Sequence, residues 1–266
     1  MSKNLIYQVW AGELRSACKH SSKLMKEYAD RIGADYRLDI DPNIASSLCN
    51  VPMYFEWLNP ILDKSFLEYD KVLVIDLDVF PTPDCRNIFE ENIGDVGICT
   101  EPFQGKYRAS TVIGGSICAA SDEQWAQHCK RIYGIDLPRD NEGYLKVYNA
   151  GMVLFTKEGI LKCRERFVEF QSYIDTMRRC KLGRFYTVDQ NYFHAMMIAH
   201  LDYTEMDNDW NCYIHYVRGP LGITTPIHDG RGSDPQLVHI QLSGADYFED
   251  DKIDRITNKP QGQWNL

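Results

Sequence analysis

Lys71-Val-Leu-Val-Ile75 is a continuous β-branched and apolar run. Such a run suits a strand buried on both faces, as in a parallel sheet covered by helices. What precedes it repeats a simple alternation. Leu5-Ile-Tyr-Gln-Val-Trp10 reads as a first buried strand. Apolar residues at Leu14, Cys18, Met25, Tyr28 and Ile32 then follow a helical period that Gly33 stops. Tyr36–Ile40 reads as a short second strand, ended by Asp41-Pro42. Phe55, Leu58, Leu62 and Phe66 make another helical stripe. Strand, helix, strand, helix, strand is the α/β pattern of a mostly parallel sheet.

Further along, Val96–Thr100, Ala150–Phe155 and Leu237–Gln241 read as strands. Phe167, Phe170, Ile174 and Met177 mark one helix, and Thr187-Val-Asp189 opens another that runs to about His200. Residues 202–234 read as long surface loops and 249–266 as a tail. No linker or repeat divides the 266 residues, so the expectation is one Rossmann-like domain over 1–266.

Composition excludes several classes. With 44% hydrophobic and 25% charged residues the chain is neither disordered nor fibrous. A formal net charge of -9 makes it a poor general binder of nucleic acid. The nine cysteines are odd in number and show no C-x-x-C spacing, which argues against zinc sites and for buried thiols in a reducing compartment. The N-terminal apolar run is too short for a signal peptide or a membrane span. A soluble cytoplasmic protein is expected.

Three Asp-x-Asp triplets occur: Asp39/Asp41, Asp76/Asp78 and Asp207/Asp209. Only Asp76/Asp78 follows a long apolar strand. In open α/β sheets ligands gather beyond the carboxyl ends of the strands. Two carboxylates there suit a hard divalent cation, Mg²⁺ or Mn²⁺, shared with substrate phosphates. The plainer reading is a strand end capped by two solvated aspartates.

Val72-Leu-Val-Ile-Asp76-Leu77-Asp78-Val-Phe80 resembles the Asp-x-Asp strand of glycosyltransferases with the A-type fold. Tyr148-Asn149-Ala-Gly-Met-Val-Leu-Phe155 resembles the Phe-Asn-(Ser/Ala)-Gly-Val strand of glycosyltransferase family 8, which includes glycogenin and bacterial lipooligosaccharide galactosyltransferases. Val188-Asp189-Gln190-Asn191 resembles that family's Asp-Gln helix start. The three stand in the family's order, within a resemblance that covers about residues 4 to 244.

The resemblance implies a metal-dependent transfer of sugar, with retention, from a nucleotide-sugar donor such as a UDP-sugar. Asp76, Asp78 and His239 would hold Mn²⁺ or Mg²⁺. Gln8, Val9 and Trp10 would hold the nucleoside, with Leu77 and Gly244 also at the donor. Asn149 would contact the donor sugar or acceptor. Asp189 would bind donor-sugar hydroxyls, and Gln190 would lie near the reacting face. Asp189 also fits a simple helix-capping role.

Two departures stand out. After His239 the family's His-Phe-x-Gly-x-x-Lys pattern is not kept: Gly244 comes late and Asp246 stands near the expected lysine, with Lys252 further on. The helix before the Asp-x-Asp strand carries Lys64 where an arginine is expected. A nucleotidyl- or phosphotransferase using the same strand remains an alternative, although Gln8-Val-Trp-Ala-Gly-Glu-Leu-Arg-Ser16 is a poor phosphate loop. So does a module that holds a nucleotide sugar without turnover.

Lys157 to Arg184 carries eight Lys/Arg and four Asp/Glu in an otherwise acidic chain. Arg178, Arg179, Lys181 and Arg184 lie just before Asp189. They suit an anionic acceptor, whether glycan, lipid or nucleic acid, or a solvated helix end favoured by its dipole.

Overall fold

The computed structural model describes residues 2–101, 106–110, 112, 117–218, 224–229, 232, 234–240 and 250–258. Strand β1 (Asn4–Trp10) leads into helix α1 (Ser16–Ile32). Gly33 ends that helix at φ 71°, a left-handed position that glycine adopts without strain. Strands β2 (Asp35–Ile40) and β3 (Lys71–Ile75) follow, and both pair with β1 in parallel.

The expected helix between β2 and β3 is broken. Residues 45–68 form 3₁₀ turns at Ala45–Ser47, Pro52–Tyr54, Glu56–Leu58 and Lys64–Glu68, with a single α-turn, α2 (Asn59–Leu62). Pro52 and Pro60 supply no N–H to a continuous helix. Asp63 takes extended backbone angles and its side chain caps Ser65 N, which restarts the chain. The apolar stripe still does its packing: Phe55, Leu58 and Phe66 are wholly buried.

After β4 (Val79–Pro81) and β5 (Val96–Thr100) come α3 (Lys106–Ser110) and α4 (Ala119–Tyr133). Strand β6 (Tyr148–Thr156) is longer than expected. The next helical stretch is two helices, α5 (Lys157–Arg166) and α6 (Phe170–Arg179), with Phe167 extended at the break. Helix α7 (Asp189–His200) starts where the sequence places it, and β7 (Tyr203–Glu205) follows.

The main sheet has the order β2-β1-β3-β6-β5-β7. Strand β6 pairs antiparallel to β3 and β5, and the other pairings are parallel. The sheet is therefore mostly parallel, with β6 reversed. The carboxyl ends of β1, β3 and β5 meet the amino end of β6 at one edge. Strand β3 is buried on both faces. Val72 and Val74 join one apolar cluster, and Leu73 and Ile75 join the other.

Residues 202–234 are not simply loops. They contain β7, β8 (Cys212–Arg218) and β9 (Thr224–Asp229), of which β8 and β9 pair antiparallel. With β10 (Leu237–Ile240) they build a second sheet of order β4-β10-β8-β9. Pro226 obscures this strand pattern, but β9 is an edge strand, where proline is tolerated. Part of the expected tail is the helix Asp250–Thr257. Its Ile253 shares a third cluster with Ala17, Phe80 and Val238. All nine cysteines are free thiols. Among the described residues, no helix is long and apolar enough to cross a membrane.

Candidate active site

The turn after β3 carries Asp76 and Asp78, and the second sheet brings the third partner. Strand β10 pairs antiparallel with β4, setting His239 opposite Val79, and Ile240 N donates to Asp78 O at 2.9 Å. One ligand atom each from Asp76, Asp78 and His239 then lies within 4.8 Å of the other two. His239 Nε2 is 3.2 Å from Asp78 Oδ1.

A chain of amide bonds fixes the imidazole. Gly151 N donates to Asn149 Oδ1 (2.9 Å), so that atom is the carbonyl oxygen. Asn211 Nδ2 donates to the same oxygen (3.0 Å), which leaves Asn211 Oδ1 facing His239 Nδ1 at 3.1 Å. An acceptor there requires the proton on Nδ1. Nε2, on the side of the carboxylates, then keeps its lone pair when the ring is neutral, the arrangement common in metal-ligating histidines. The fit is close at Gly151. A Cβ there would lie 2.5 Å from His239 Cε1 and 2.8 Å from Asn149 Oδ1, so glycine is what lets the ring seat.

Electrostatics favour a cation. Asp76 opens to the cleft but is ringed by protein. Desolvation, then the charge of Asp78, pushes its pKa up to about 7, while His239 pulls it down. Burial alone would lower the pKa of His239, but Asp78 and then Asp76 raise it above the usual imidazole value. Excess negative charge is thus gathered at one point. Two carboxylates and an imidazole fit a six-coordinate divalent ion with positions left for substrate oxygens.

The cleft beside these groups has a volume of about 380 Å³. Val9, Trp10, Trp57, Asp76, Asp78 and Asp189 are among the residues that line it, as is Leu77. Asp189 is the first residue of α7, and its Oδ2 accepts a 2.7 Å hydrogen bond from Trp57 Nε1. Burial raises its pKa to about 6, against the pull of the Trp57 and backbone N–H donors.

The other sequence-derived candidates fall in different places. Gln8 is wholly buried beneath the cleft and does not line it. Its Nε2 donates to Asp76 O (3.1 Å) and Ser21 Oγ (3.2 Å), and its Oε1 accepts from Tyr36 OH. It braces the Asp76–Asp78 turn from behind. Asn149 is likewise buried, in the amide chain just described. Gln190 bridges the strand ends: its Oε1 is 3.5 Å from Ala150 N and its Nε2 donates to Glu101 Oε2 at 2.9 Å. Gly244 and Asp246 lie outside the described residues, as does the side chain of Lys252. Near Lys64, Arg37 of β2 spans Asp39 and Asp63 and lies over the Phe66 ring.

Sequence reasoning misses Trp57, Glu101, Asn211 and Tyr213. Glu101 follows β5 directly, so the rule that pointed to Asp76 could have found it. Its Oε1 accepts from buried Arg108. Asn211 and Tyr213 flank the start of β8, which the sequence does not announce. Tyr213 packs edge-on against His239, with ring centroids 4.7 Å apart.

The fold has a solved counterpart. The galactosyltransferase LgtC, solved in complex with donor and acceptor sugar analogs, superposes with a TM-score of 0.51 at 12% identity, over 96% of this chain and 98% of that one. This chain has the A-type glycosyltransferase fold. A glycosyltransferase involved in glycosylation of the major capsid of PBCV-1 also matches, with a TM-score of 0.44 at 12% identity, over 95% of this chain and 98% of that one. No protein-family model and no curated protein matches the sequence.

Proposed function

We propose that this chain is a glycosyltransferase that moves a sugar from a nucleotide-sugar donor, a UDP-sugar in our reading, to a hydroxyl acceptor with retention of configuration. The observation that carries this is the convergence of Asp76, Asp78 and His239 at the sheet edge, with Asp76, Asp78 and Asp189 lining one cleft of this fold. Asp76, Asp78 and His239 would hold Mn²⁺ or Mg²⁺, and the imidazole favours Mn²⁺. The ion, when bound, supplies positive charge against the diphosphate that departs. Val9 and Trp10 form the wall for the nucleoside. Asp189, ionised, accepts from donor-sugar hydroxyls, and Gln190 stands at the reacting face. Asn149 and Asn211 hold His239 in one tautomer. The two sheets act as one domain in this reading, because both supply site residues. The nine free thiols support a reducing, cytoplasmic compartment.

Release of nucleoside diphosphate from a panel of sugar nucleotides, with Mn²⁺ and with EDTA, tests the reading. One donor is expected to be consumed with Mn²⁺, and chelation is expected to stop it. Consumption unchanged in EDTA would remove the metal role. NMR of the product anomer tests retention: an inverted linkage would sink it.

Trp57→Phe tests Asp189 without touching the carboxylates of the metal turn. The lost N–H favours the ionised form, so its removal raises a pKa that already stands near 6. A hydrogen bond to a charged group contributes about 1.5–3 kcal/mol, and solvent in the cleft takes back part of that. The acid limb of the kcat profile should move up by about one pH unit. Activity should fall most near pH 6 and least near pH 8. An unmoved limb would mean that Asp189 does not act as a carboxylate.

The basic segment divides in the structure. Arg184 lies over the Tyr54 ring, 4.8 Å from its centroid, and donates to its hydroxyl; Tyr54 lines the cleft. Arg178 donates to Asn50, whereas Arg179 turns back onto its own helix. Arg184→Ala should raise the KM of an anionic acceptor by about threefold at low salt, where screening is weak. Arg179→Ala should leave it unchanged. Equal loss of donor hydrolysis in Arg184→Ala would assign the residue to the donor or the fold.

A further inference from the structure

Gln190 is tied into a chain of buried charged groups at the start of α7. Its Nε2 donates to Glu101 Oε2 at 2.9 Å, and the other oxygen of Glu101 accepts from Arg108 Nη2 at 3.1 Å. Arg108 of α3 is 2% exposed and turns Nη1 to Asp122 Oδ1 of α4 at 2.8 Å. The same Asp122 oxygen accepts from Tyr186 OH at 2.7 Å. Tyr186 lies in the 3₁₀ turn Arg184–Thr187 that leads into α7. The chain of bonds thus leaves this segment at Tyr186 and returns to it at Gln190.

Burying an arginine with two carboxylates gains little stability over an apolar core. What the group does here is fix an orientation. A guanidinium can only donate, and an ionised carboxylate can only accept. Arg108 holds Glu101 by one oxygen, and the second oxygen admits only the NH2 side of the Gln190 amide. Gln190 Oε1 is left 3.5 Å from Ala150 N, where the pairing register of β5 and β6 breaks. The next residue is Gly151, whose carbonyl accepts from Asp76 N. The amide oxygen is therefore turned toward the strand segment that holds the Asp76–Asp78 turn.

We propose that Glu101, anchored by Arg108, is a positioning residue that sets which way round the Gln190 amide stands. Its bearing on turnover rests on the sugar-transfer reading, in which Gln190 stands at the reacting face. The orientation itself does not depend on that reading.

Glu101→Gln tests it without a change of shape. The new side chain keeps its carbonyl on Arg108, which offers only donors, and so turns an NH2 group to Gln190. Gln190 must answer with Oε1, and its amide reverses. In NMR spectra of the side-chain amides of the full chain, the Gln190 pair is the one that disappears when Gln190→Glu is added. It should lie downfield in the parent, where a carboxylate holds one proton, and move upfield in Glu101→Gln. The kcat of donor hydrolysis with Mn²⁺ should fall at least about tenfold, and the donor KM should stay within about threefold. Adding Gln190→Glu to Glu101→Gln gives the new amide a carboxylate to donate to and puts an oxygen back toward Ala150 N. The double variant should therefore exceed the product of the two single losses by at least about tenfold. Arg108→Lys keeps the charge but loses the fork that spans two carboxylates, and should lower kcat several-fold in the same way. Glu101→Gln, which leaves Arg108 bonded, decides the matter if that variant fails to fold. The proposal is overturned if the Gln190 signals do not move in Glu101→Gln, if kcat in that variant matches the parent's, or if the two single losses simply multiply. A parent that consumes no sugar nucleotide would sink the sugar-transfer reading instead, and the Gln190 signals would still decide the orientation.

Discussion

Asp78→Asn should lower Mn²⁺-dependent donor turnover by about three orders of magnitude and leave the fold intact. The substitution keeps size and shape but replaces a charged ligand with a neutral carbonyl. A cation acting on a departing phosphate contributes several kcal/mol, and each 1.36 kcal/mol is a factor of ten in rate. The backbone reason for a preserved fold is specific: Asp78 enters the second sheet through its carbonyl, which accepts from Ile240 N, and asparagine keeps that bond. Raising the Mn²⁺ concentration should restore part of the activity, because the loss is one of affinity. Asp207→Asn, in another Asp-x-Asp triplet, is the control. Asp207 does not line the cleft; it accepts from Asp209 N at the start of the 3₁₀ turn Asn208–Asn211, a bond that asparagine can also accept, so activity should stay near the parent's. Equal loss in both variants would mean that the triplet after β3 has no special place.

That contrast also shows what a sequence can carry. The Asp76/Asp78 turn was legible because β3 is buried on both faces and so had to be written in apolar letters. The start of α7 was legible for a related reason, since the polar Asp189-Gln190-Asn191 opens a long apolar run. The stripe from Phe55 to Phe66 had the right burial and the wrong backbone. Periodicity reports which side chains go inside, and Pro52 and Pro60 decide the path between them. The hairpin of β8 and β9 was hidden because half of it is an edge strand bearing a proline. With it went the starting point of β8, and so Asn211 and Tyr213. His239 was proposed through the resemblance, as a histidine that follows an apolar strand late in the chain. What fixes its proton was beyond reach, because that depends on Asn211 meeting Asn149 and Gly151 from far along the chain. Gln8 shows the converse. The resemblance put it at the donor, but the side chain faces into the protein and supports Asp76 O.

Gly151→Ala should be nearly as damaging as loss of a ligand, although residue 151 ligates nothing. The added methyl would stand 2.5 Å from His239 Cε1, closer than real Cβ contacts come, and 2.8 Å from Asn149 Oδ1. Gly151 also supplies two backbone bonds here, its N–H to Asn149 and its carbonyl to Asp76 N at 2.9 Å. The strand is therefore poorly placed to yield, and the imidazole must move instead. Loss of an outer partner that orients a metal ligand costs about 10–100-fold in affinity or activity. A direct clash with the ligand should reach the upper end of that range, read as a higher Mn²⁺ concentration for half-maximal activity. The decisive comparison is made in the His239→Ala background. There the nearer of the two clashing groups is gone, so adding Gly151→Ala should cost at most a few-fold more, far less than the same change costs in the parent. Energies of residues in direct contact are non-additive in this way, and those of independent sites add. If the two substitutions multiply their effects in full, the glycine acts through the backbone or through Asn149, and the close approach of His239 is not what it serves.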